Sequence, residues 1–369
     1  MFYRVLVACL AALALGTPAI PQQAAAPKAD ANQAAAKPGT PPAQQQQPAT
    51  PQDTGTTIKV NSTEIIVPVS VTDDRGKFVS NLEARDFRIL DEGRPQRIRF
   101  FSHDSKQPVV IGFLLDMSNS TRTHWKVYQD AIMEMVWALL PGDPRYTGYL
   151  ITYSTQAELA VNTTQDSEKI TDKIRSLRPG GAAALADAIY RACTDRKLVP
   201  GEPYEPRRVI IVVGDGHDTS SNHTMEQVLE LAQRNLVTIY AISTQNFGFD
   251  NPDQDVLERL VRLTGGRIEY PLNNLYKDVD GYLSHPSDDG NYALTVGSGG
   301  YAAQISSGII KAVGGIAGDI TQQYVMRYIP DVTDTKEKQW RRIAVDIPEL
   351  PNVKIRAKPG YWAMPPVQR

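Results

Sequence analysis

Cysteine is scarce in this chain: Cys9 and Cys193 are the only two among 369 residues. Cys9 lies in an apolar N-terminal run, so removal of that run leaves Cys193 alone and excludes an intramolecular disulfide in the mature protein. Cys193 shares a helical face with Leu185, Ile189 and Ala192, which predicts a buried, inert thiol. Excess charge of either sign is also missing. A formal net charge of -2 and a pI near 6.2 remove the electrostatic case for a nucleic-acid partner. Lys354, Arg356 and Lys358 alternate with Val353, Ile355 and Ala357, so these cations are expected on the wet face of a half-buried strand.

Signatures of catalysis are lacking as well. His217 and His223 with Asp218 between them form a weak zinc pattern, with neither a Cys pair nor a His-Glu-x-x-His helix beside it. Both histidines are expected as exposed loop residues. No Lys-Ser/Thr follows Gly180-Gly181, so this is no phosphate loop. Ser118 and Ser120 lie in no Gly-x-Ser-x-Gly elbow, and the nearest base, His124, is a helical turn away. The chain is therefore expected not to be an enzyme, with a hydrolase as the weaker alternative. Trp125, Trp137, Trp340 and Trp362 are assigned to core or sandwich packing.

The N-terminus reads as a targeting segment. Arg4 precedes Val5 to Leu15, an uncharged apolar stretch shorter than the ~20 residues of a spanning helix, which predicts a signal peptide over residues 1–19. Cleavage near Thr17-Pro18-Ala19 or at Ala24 to Ala26 both fit. Cys9 follows Leu6-Val7-Ala8 in a lipobox-like order but too early for a full apolar region, so export without a lipid anchor is expected. The mature protein would be periplasmic, cell-surface or secreted, with no membrane span. Residues 20–57 are rich in Pro, Gln and Ala and nearly free of large apolar side chains; they cannot offset their ordering entropy and read as a disordered tether.

Order begins near Ile58. Ile65, Val67, Val69 and Val71 alternate with Ile66, Pro68, Ser70 and Thr72, predicting a strand with one buried face. Asp73 to Gly76 and Asp91 to Gly93 are turns, Phe87 to Ile89 a strand, and Arg97 to Phe100 another, so residues 58–107 form a β segment. From Val109 strands alternate with helices: 109–115, 149–153, 209–213, 237–242 and 267–270 against helices on Val127 to Leu139, Ile170 to Leu177, 224–234 and 253–264. This pattern requires a mostly parallel, doubly wound sheet, an α/β class of Rossmann-like type. Residues 273–302 read as a loop or insertion, and Ile305 to Ile320 as a closing helix weakened by Gly308, Gly314, Gly315 and Gly318. Strands at 324–328, 342–347 and 353–358 follow. The two terminal β segments together could make one β-sandwich with the α/β part inserted between its halves.

Two wholly apolar strands end in aspartate, Leu114-Leu115-Asp116 and Val213-Gly214-Asp215. Ligands of open α/β sheets bind beyond such strand ends. Buried carboxylates are costly unless a cation or hydrogen bonds satisfy them. Ser118 and Ser120 add two hydroxyls at alternating positions. Hard oxygen donors suit Mg²⁺, Mn²⁺ or Ca²⁺ better than zinc. Helix capping is the plainer explanation of Asp-x-Ser-x-Ser alone; the second aspartate shifts the balance to a shared metal.

Asp116-x-Ser118-x-Ser120, a downstream Gly-Gly loop and Asp215 in Gly214-Asp215-Gly216 together resemble the metal-ion-dependent adhesion site of von Willebrand factor type A domains. The resemblance covers residues 108–323 and nearby, leaving 324–369 as a C-terminal β segment. In the flanks, Val71 to Gly76, Asp86-Phe87, Asp91-Glu92-Gly93 and Lys358 to Trp362 resemble exported type A-related proteins common in Acidobacteria. The resemblance implies a binding or adhesion module in which Asp116, Ser118, Ser120 and Asp215 hold the cation and a protein partner completes its shell with an acidic side chain. One departure stands out. The family's threonine after Gly-Gly is missing, because Gly180-Gly181 runs into Ala182-Ala183-Ala184-Leu185 with a residue added. Alanine at 183 offers no oxygen, so metal affinity is expected to fall, with water replacing the ligand. A metal-free scaffold with a decayed site is the main competitor.

Overall fold

Val109 to Asp116 forms a strand buried along its whole length, and the rest of the α/β layer is built around it. The computed structural model describes residues 64–103, 107–123, 125–199, 206–244, 252–271, 298–331 and 337–363. The expected signal peptide, the tether, His124 and residues 273–297 of the expected insertion lie outside the described residues. All described residues belong to one unit, Lys59–Arg369.

In chain order the strands are β1 Ile65–Thr72, β2 Arg88–Asp91, β3 Arg94–Gln96, β4 Phe100–Ser102, β5 Val109–Asp116, β6 Tyr146–Tyr153, β7 Ala157–Thr164, β8 Arg207–Gly214, β9 Val237–Ser243 and β10 Ile268–Glu269. The last four are β11 Tyr324–Tyr328, β12 Gln339–Asp346, β13 Lys354–Ala357 and β14 Gly360–Ala363. The helices are α1 Trp125–Leu139, α2 Ser167–Ser176, α3 Leu185–Thr194, α4 Met225–Arg234, α5 Pro252–Thr264 and α6 Ser298–Gln322.

The central sheet has the order β10-β9-β8-β5-β6-β7, parallel except for the edge strand β7, which pairs antiparallel with β6. Successive residues of β5 serve opposite cores. Ile111, Phe113 and Leu115 pack with α1, α2 and α6, while Val110 and Leu114 pack with α3, α4 and α5. This two-sided coverage explains why β5 and β8 read as continuous apolar runs. Helix boundaries follow local chemistry. The Asp166 carboxylate caps α2 by accepting from the Glu168 N–H, and Thr224 with Gln227 forms a capping box on α4.

The terminal segments supply two antiparallel four-stranded sheets, β13-β1-β11-β4 and β14-β12-β2-β3, each mixing strands from both ends of the chain. Their shared core holds Val67, Val69, Phe87, Ile89, Tyr324, Tyr328 and Tyr361 among others. At its centre Asp91, fully buried, accepts from the Tyr328 hydroxyl at 2.9 Å, the Tyr361 hydroxyl at 2.9 Å and Arg341 Nε at 2.9 Å.

Several local expectations are corrected. The expected turn is present, with Glu92 and Gly93 linking β2 to β3, but Asp91 at its start is buried in the core, where Arg341 and two tyrosines satisfy its charge. The following strand is Arg94–Gln96, with Phe100–Ser102 as a separate strand, so the expected run from Arg97 is broken. Both faces of β1 are covered: Pro68 and Ser70 are buried along with Val67 and Val69. Nor is the basic face of β13 wet. Lys354 is exposed, but Arg356 pairs with the fully buried Asp319 of α6, and Lys358 is itself buried. For β1 and β13 the second face of the sheet lies against the α/β layer, a contact that strand alternation cannot reveal. The glycines of α6 have a packing role as well. A Cβ on Gly318 would stand 2.6 Å from the Phe78 ring, so the helix lies closer there than any side chain allows.

The four tryptophans are packing residues: Trp125 and Trp137 join the α1 core, and Trp340 meets Trp362 edge-on at 5.3 Å. Cys193 is buried, and burial pushes its thiol up to about 12, the behaviour of an inert core cysteine.

Candidate functional site

The carboxyl ends of β5 and β8 bring Asp116 and Asp215 together. Leu115 pairs with Val213 in the parallel register, so Asp116 lies beside Gly214 and Asp215 follows one residue on. Glycine is required at 214: a Cβ there would overlap the Tyr153 hydroxyl and stand 2.9 Å from Asp116 Cβ. Both aspartates are buried, at 1% and 6% exposure. Each uses one oxygen to fix the turn that follows it. Asp116 Oδ1 accepts from the Ser118 N–H at 2.8 Å, and Asp215 Oδ1 accepts from the His217 N–H at 3.0 Å.

That leaves one oxygen on each aspartate. Asp215 Oδ2 lies 3.3 Å from His217 Nδ1. Asp116 Oδ2 is buried with no hydrogen-bond partner among the described residues. Burial, and then the negative charge of Asp215, push the Asp116 carboxyl up to about 7. Ser118 and Ser120 follow Asp116 in the chain, and their hydroxyls meet at 2.8 Å. Ser118 is buried and Ser120 exposed, so the pair leads from the aspartates to the surface. Thr121 locks the turn by donating to the carbonyls of Asp116 at 3.1 Å and Ser118 at 3.0 Å.

The Gly180-Gly181 loop is stitched to this turn. Gly180 N–H donates to Met117 O at 2.6 Å, and Asn119 N–H donates to Gly181 O at 3.1 Å. The loop thus lies beside the site, yet Ala183 adds only backbone, and that backbone is engaged elsewhere. Its N–H donates to the Thr219 hydroxyl at 3.1 Å, and its carbonyl accepts from Thr219 and Ser220 at 2.8 and 3.0 Å.

The histidines do not form a zinc site. His217 joins Asp215, whereas His223 Nδ1 lies 2.6 Å from Asp187 Oδ1 and its ring stacks on Tyr190 at 3.6 Å. Asp218 instead caps α3, accepting from the Ala186 N–H at 2.6 Å. Neither histidine is the exposed loop residue expected from the sequence; each is partly covered and tied to its own carboxylate. Among the described residues no three His, Cys, Asp or Glu side chains gather to hold a metal. The donor set is two carboxylates and two hydroxyls. Hard oxygens, one of them buried and unmatched, fit a hard divalent cation such as Mg²⁺ better than a soft one.

Sequence reasoning missed Tyr153. It pairs directly with Asp116 in the β5–β6 register, and its hydroxyl is buried with no partner among the described residues. Burial and the charges of Asp116 and Asp215 push that phenol well above its ordinary range. Only the register, set by the two strand lengths, could have pointed to it.

No curated protein matches the chain. Among solved structures, an aerotolerance-related membrane protein from Bacteroides fragilis aligns at 15% identity over 43% of this chain and 90% of its own, with a TM-score of 0.35. Proximal thread matrix protein 1 from the mussel byssus, solved with a zinc-occupied MIDAS motif, aligns at 18% identity over 46% of this chain and 43% of its own, with a TM-score of 0.37. The vWF domain of the type V pili tip protein Mfa5 from Porphyromonas gingivalis aligns at 21% identity over 32% of this chain and 42% of its own, with a TM-score of 0.28. The sequence itself places the α/β layer: residues 111–271 match the family model of the von Willebrand factor type A domain.

Proposed function

We propose that this chain is an exported, non-catalytic binding module that engages a protein partner through a divalent cation at Asp116, Ser118, Ser120 and Asp215. The observation that carries this is Asp116 Oδ2, a buried carboxylate oxygen without a hydrogen-bond partner among the described residues, beside a second aspartate. Two adjacent ionised carboxylates repel, and a buried unpaired charge is costly. Asp116 and Asp215 supply the negative charge, Ser118 and Ser120 supply neutral oxygens, and the Ser118 N–H fixes the orientation of Asp116. A Mg²⁺, Mn²⁺ or Ca²⁺ ion bound there supplies a positive centre that a partner's Asp or Glu carboxylate can complete.

The non-catalytic assignment rests on the Ser118 hydroxyl, whose partner among the described residues is the Ser120 hydroxyl. Export rests on the N-terminal sequence, and the flanking motifs extend the reading to the exported acidobacterial group. Among the described residues no helix is long and apolar enough to cross a membrane. A second reading, a metal-free scaffold, is favoured by one observation: Ala183 brings no side-chain oxygen and its backbone groups are spent on Thr219 and Ser220.

Calorimetric titration of Mg²⁺ and Mn²⁺ into the full chain and into Asp116→Ala separates the two. Saturable heat in the wild type that vanishes in the variant is expected. No heat in either folded protein would sink the cation reading and leave the scaffold.

A further inference from the structure

Tyr153 sets a phenol at the foot of the two aspartates. Its side chain is fully buried, in the core that β5, β6 and β8 share with α3 and α4. The hydroxyl has no hydrogen-bond partner among the described residues, and neither does Asp116 Oδ2. Both atoms lie against Gly214. A Cβ on that glycine would overlap the Tyr153 hydroxyl and stand 3.1 Å from Asp116 Oδ2. Two hydrogen bonds of about 2.8 Å meeting at one water span the gap between these atoms. Phenylalanine would fill the same space with no unmatched donor, so the hydroxyl is a cost to the fold unless the working site uses it.

The phenol lies on the side of the aspartates where the family's threonine is missing. Tyr153 packs in one core with Leu185 and Ala186, the first residues of α3 after Ala183-Ala184. The chain that follows it is tied to the glycine loop and to the loop after Asp215. Ala182 N–H donates to Thr155 Oγ1 at 3.4 Å, and the Ser220 hydroxyl donates to Ser154 O at 3.4 Å. Met117 N–H, next to Asp116, donates to Tyr153 O at 2.8 Å. Burial, and then the charges of Asp116, Asp215 and Asp218, hold the phenol well above its ordinary range. It stays protonated, a neutral hydrogen-bonding group and not an anionic ligand.

We propose that Tyr153 is a positioning residue of the cation site, whose hydroxyl oxygen accepts from the metal-bound water that replaces the threonine missing at Ala183. This rests on the cation reading of Asp116 and Asp215 and goes beyond it by naming what holds the water. A water bound to a divalent cation is a strong donor, because the metal draws charge from its oxygen. A hydroxyl that accepts from it orients the water and strengthens its hold on the metal, as outer-shell partners do.

The test is Mn²⁺ titration of the full chain at pH 8, read as loss of the free-ion electron paramagnetic resonance signal. Wild type, Tyr153→Phe, Ala183→Ser and the double variant are compared. Tyr153→Phe is expected to bind Mn²⁺ about tenfold more weakly, while unfolding in EDTA at no lower urea concentration than the wild type. Beside Ala183→Ser the introduced hydroxyl takes the water's place, so Tyr153→Phe is expected to change affinity by less than about twofold. Equal Mn²⁺ affinity in wild type and folded Tyr153→Phe would overturn the proposal and leave the cation reading standing. Absence of Mn²⁺ binding by the wild type would overturn both. An equal loss with and without Ala183→Ser would also overturn the proposal, since the phenol would then act through packing and not through the water. Should Ala183→Ser fail to fold, the water-proton hyperfine couplings of bound Mn²⁺ take its place: couplings altered in Tyr153→Phe support the proposal, and identical couplings overturn it.

Discussion

Tyr153 and Asp116 are direct partners across β6 and β5, which sets a buried phenol hydroxyl under the two aspartates. That hydroxyl has no hydrogen-bond partner among the described residues. A buried donor left unmatched costs about 1–3 kcal/mol, whereas its removal leaves nothing unsatisfied. Tyr153→Phe should therefore leave stability in chelator unchanged or raise it by up to about 1 kcal/mol. Urea denaturation measures this, and a loss beyond that size would mean the hydroxyl is engaged.

Asp116 gives the fold a pH dependence of definite sign. Its folded carboxyl sits at about 7, against an ordinary value of 3.8. Between those values the folded state holds a proton that the unfolded chain has lost, so this group's contribution to stability falls as pH rises through the window. In chelator at pH 8, Asp116→Asn should be more stable than the wild type by roughly 1–3 kcal/mol, and the gap should close towards pH 4. Cation binding must displace the proton, so Mg²⁺ affinity should weaken as pH falls below 7. Denaturant unfolding at pH 5 and 8 checks the first statement, and metal titration at the same pH values the second.

Asp91 should be the most sensitive position of the sandwich. Removing its carboxylate strands the Arg341 guanidinium and two tyrosine hydroxyls in the core. Breaking one partner of a buried pair costs about 3–5 kcal/mol, so Asp91→Ala should lose that much in urea unfolding. A loss under about 1 kcal/mol would show the network to be dispensable.

Lys358 carries the opposite sign. Its amine is lowered to about 8 from an ordinary 10.5, so between those values the unfolded chain binds the extra proton. Stability should therefore rise with pH across that window. At pH 7, Lys358→Met should be more stable than the wild type by roughly 1–3 kcal/mol, with the difference fading above pH 10.

The α/β layer was legible because its signal is local. Strands such as Val109–Asp116 and Val209 to Val213 are apolar on both faces, and the intervening helices repeat at their own period. The two aspartates were legible for the same reason, as charges that end apolar runs. What stayed hidden depends on contacts between distant segments. The turn after Asp91 was legible, but its burial was not, because its partner Arg341 lies 250 residues away. Lys358 and Arg356 looked solvated because nothing in their alternation reveals α6 or the start of β9 above them. Strand β14 was missed because Pro359-Gly360 reads as a stop, although Gly360–Ala363 pairs with β12. Tyr153 became a neighbour of the site only through register.

The central claim is that Asp116 and Asp215 together hold a divalent cation. Mn²⁺ titration at pH 8, read by electron paramagnetic resonance as loss of the free-ion signal, tests it most directly with wild type beside Asp116→Asn. The account predicts one saturable Mn²⁺ per wild-type chain and none in the variant. Equal free Mn²⁺ over both folded proteins would contradict it.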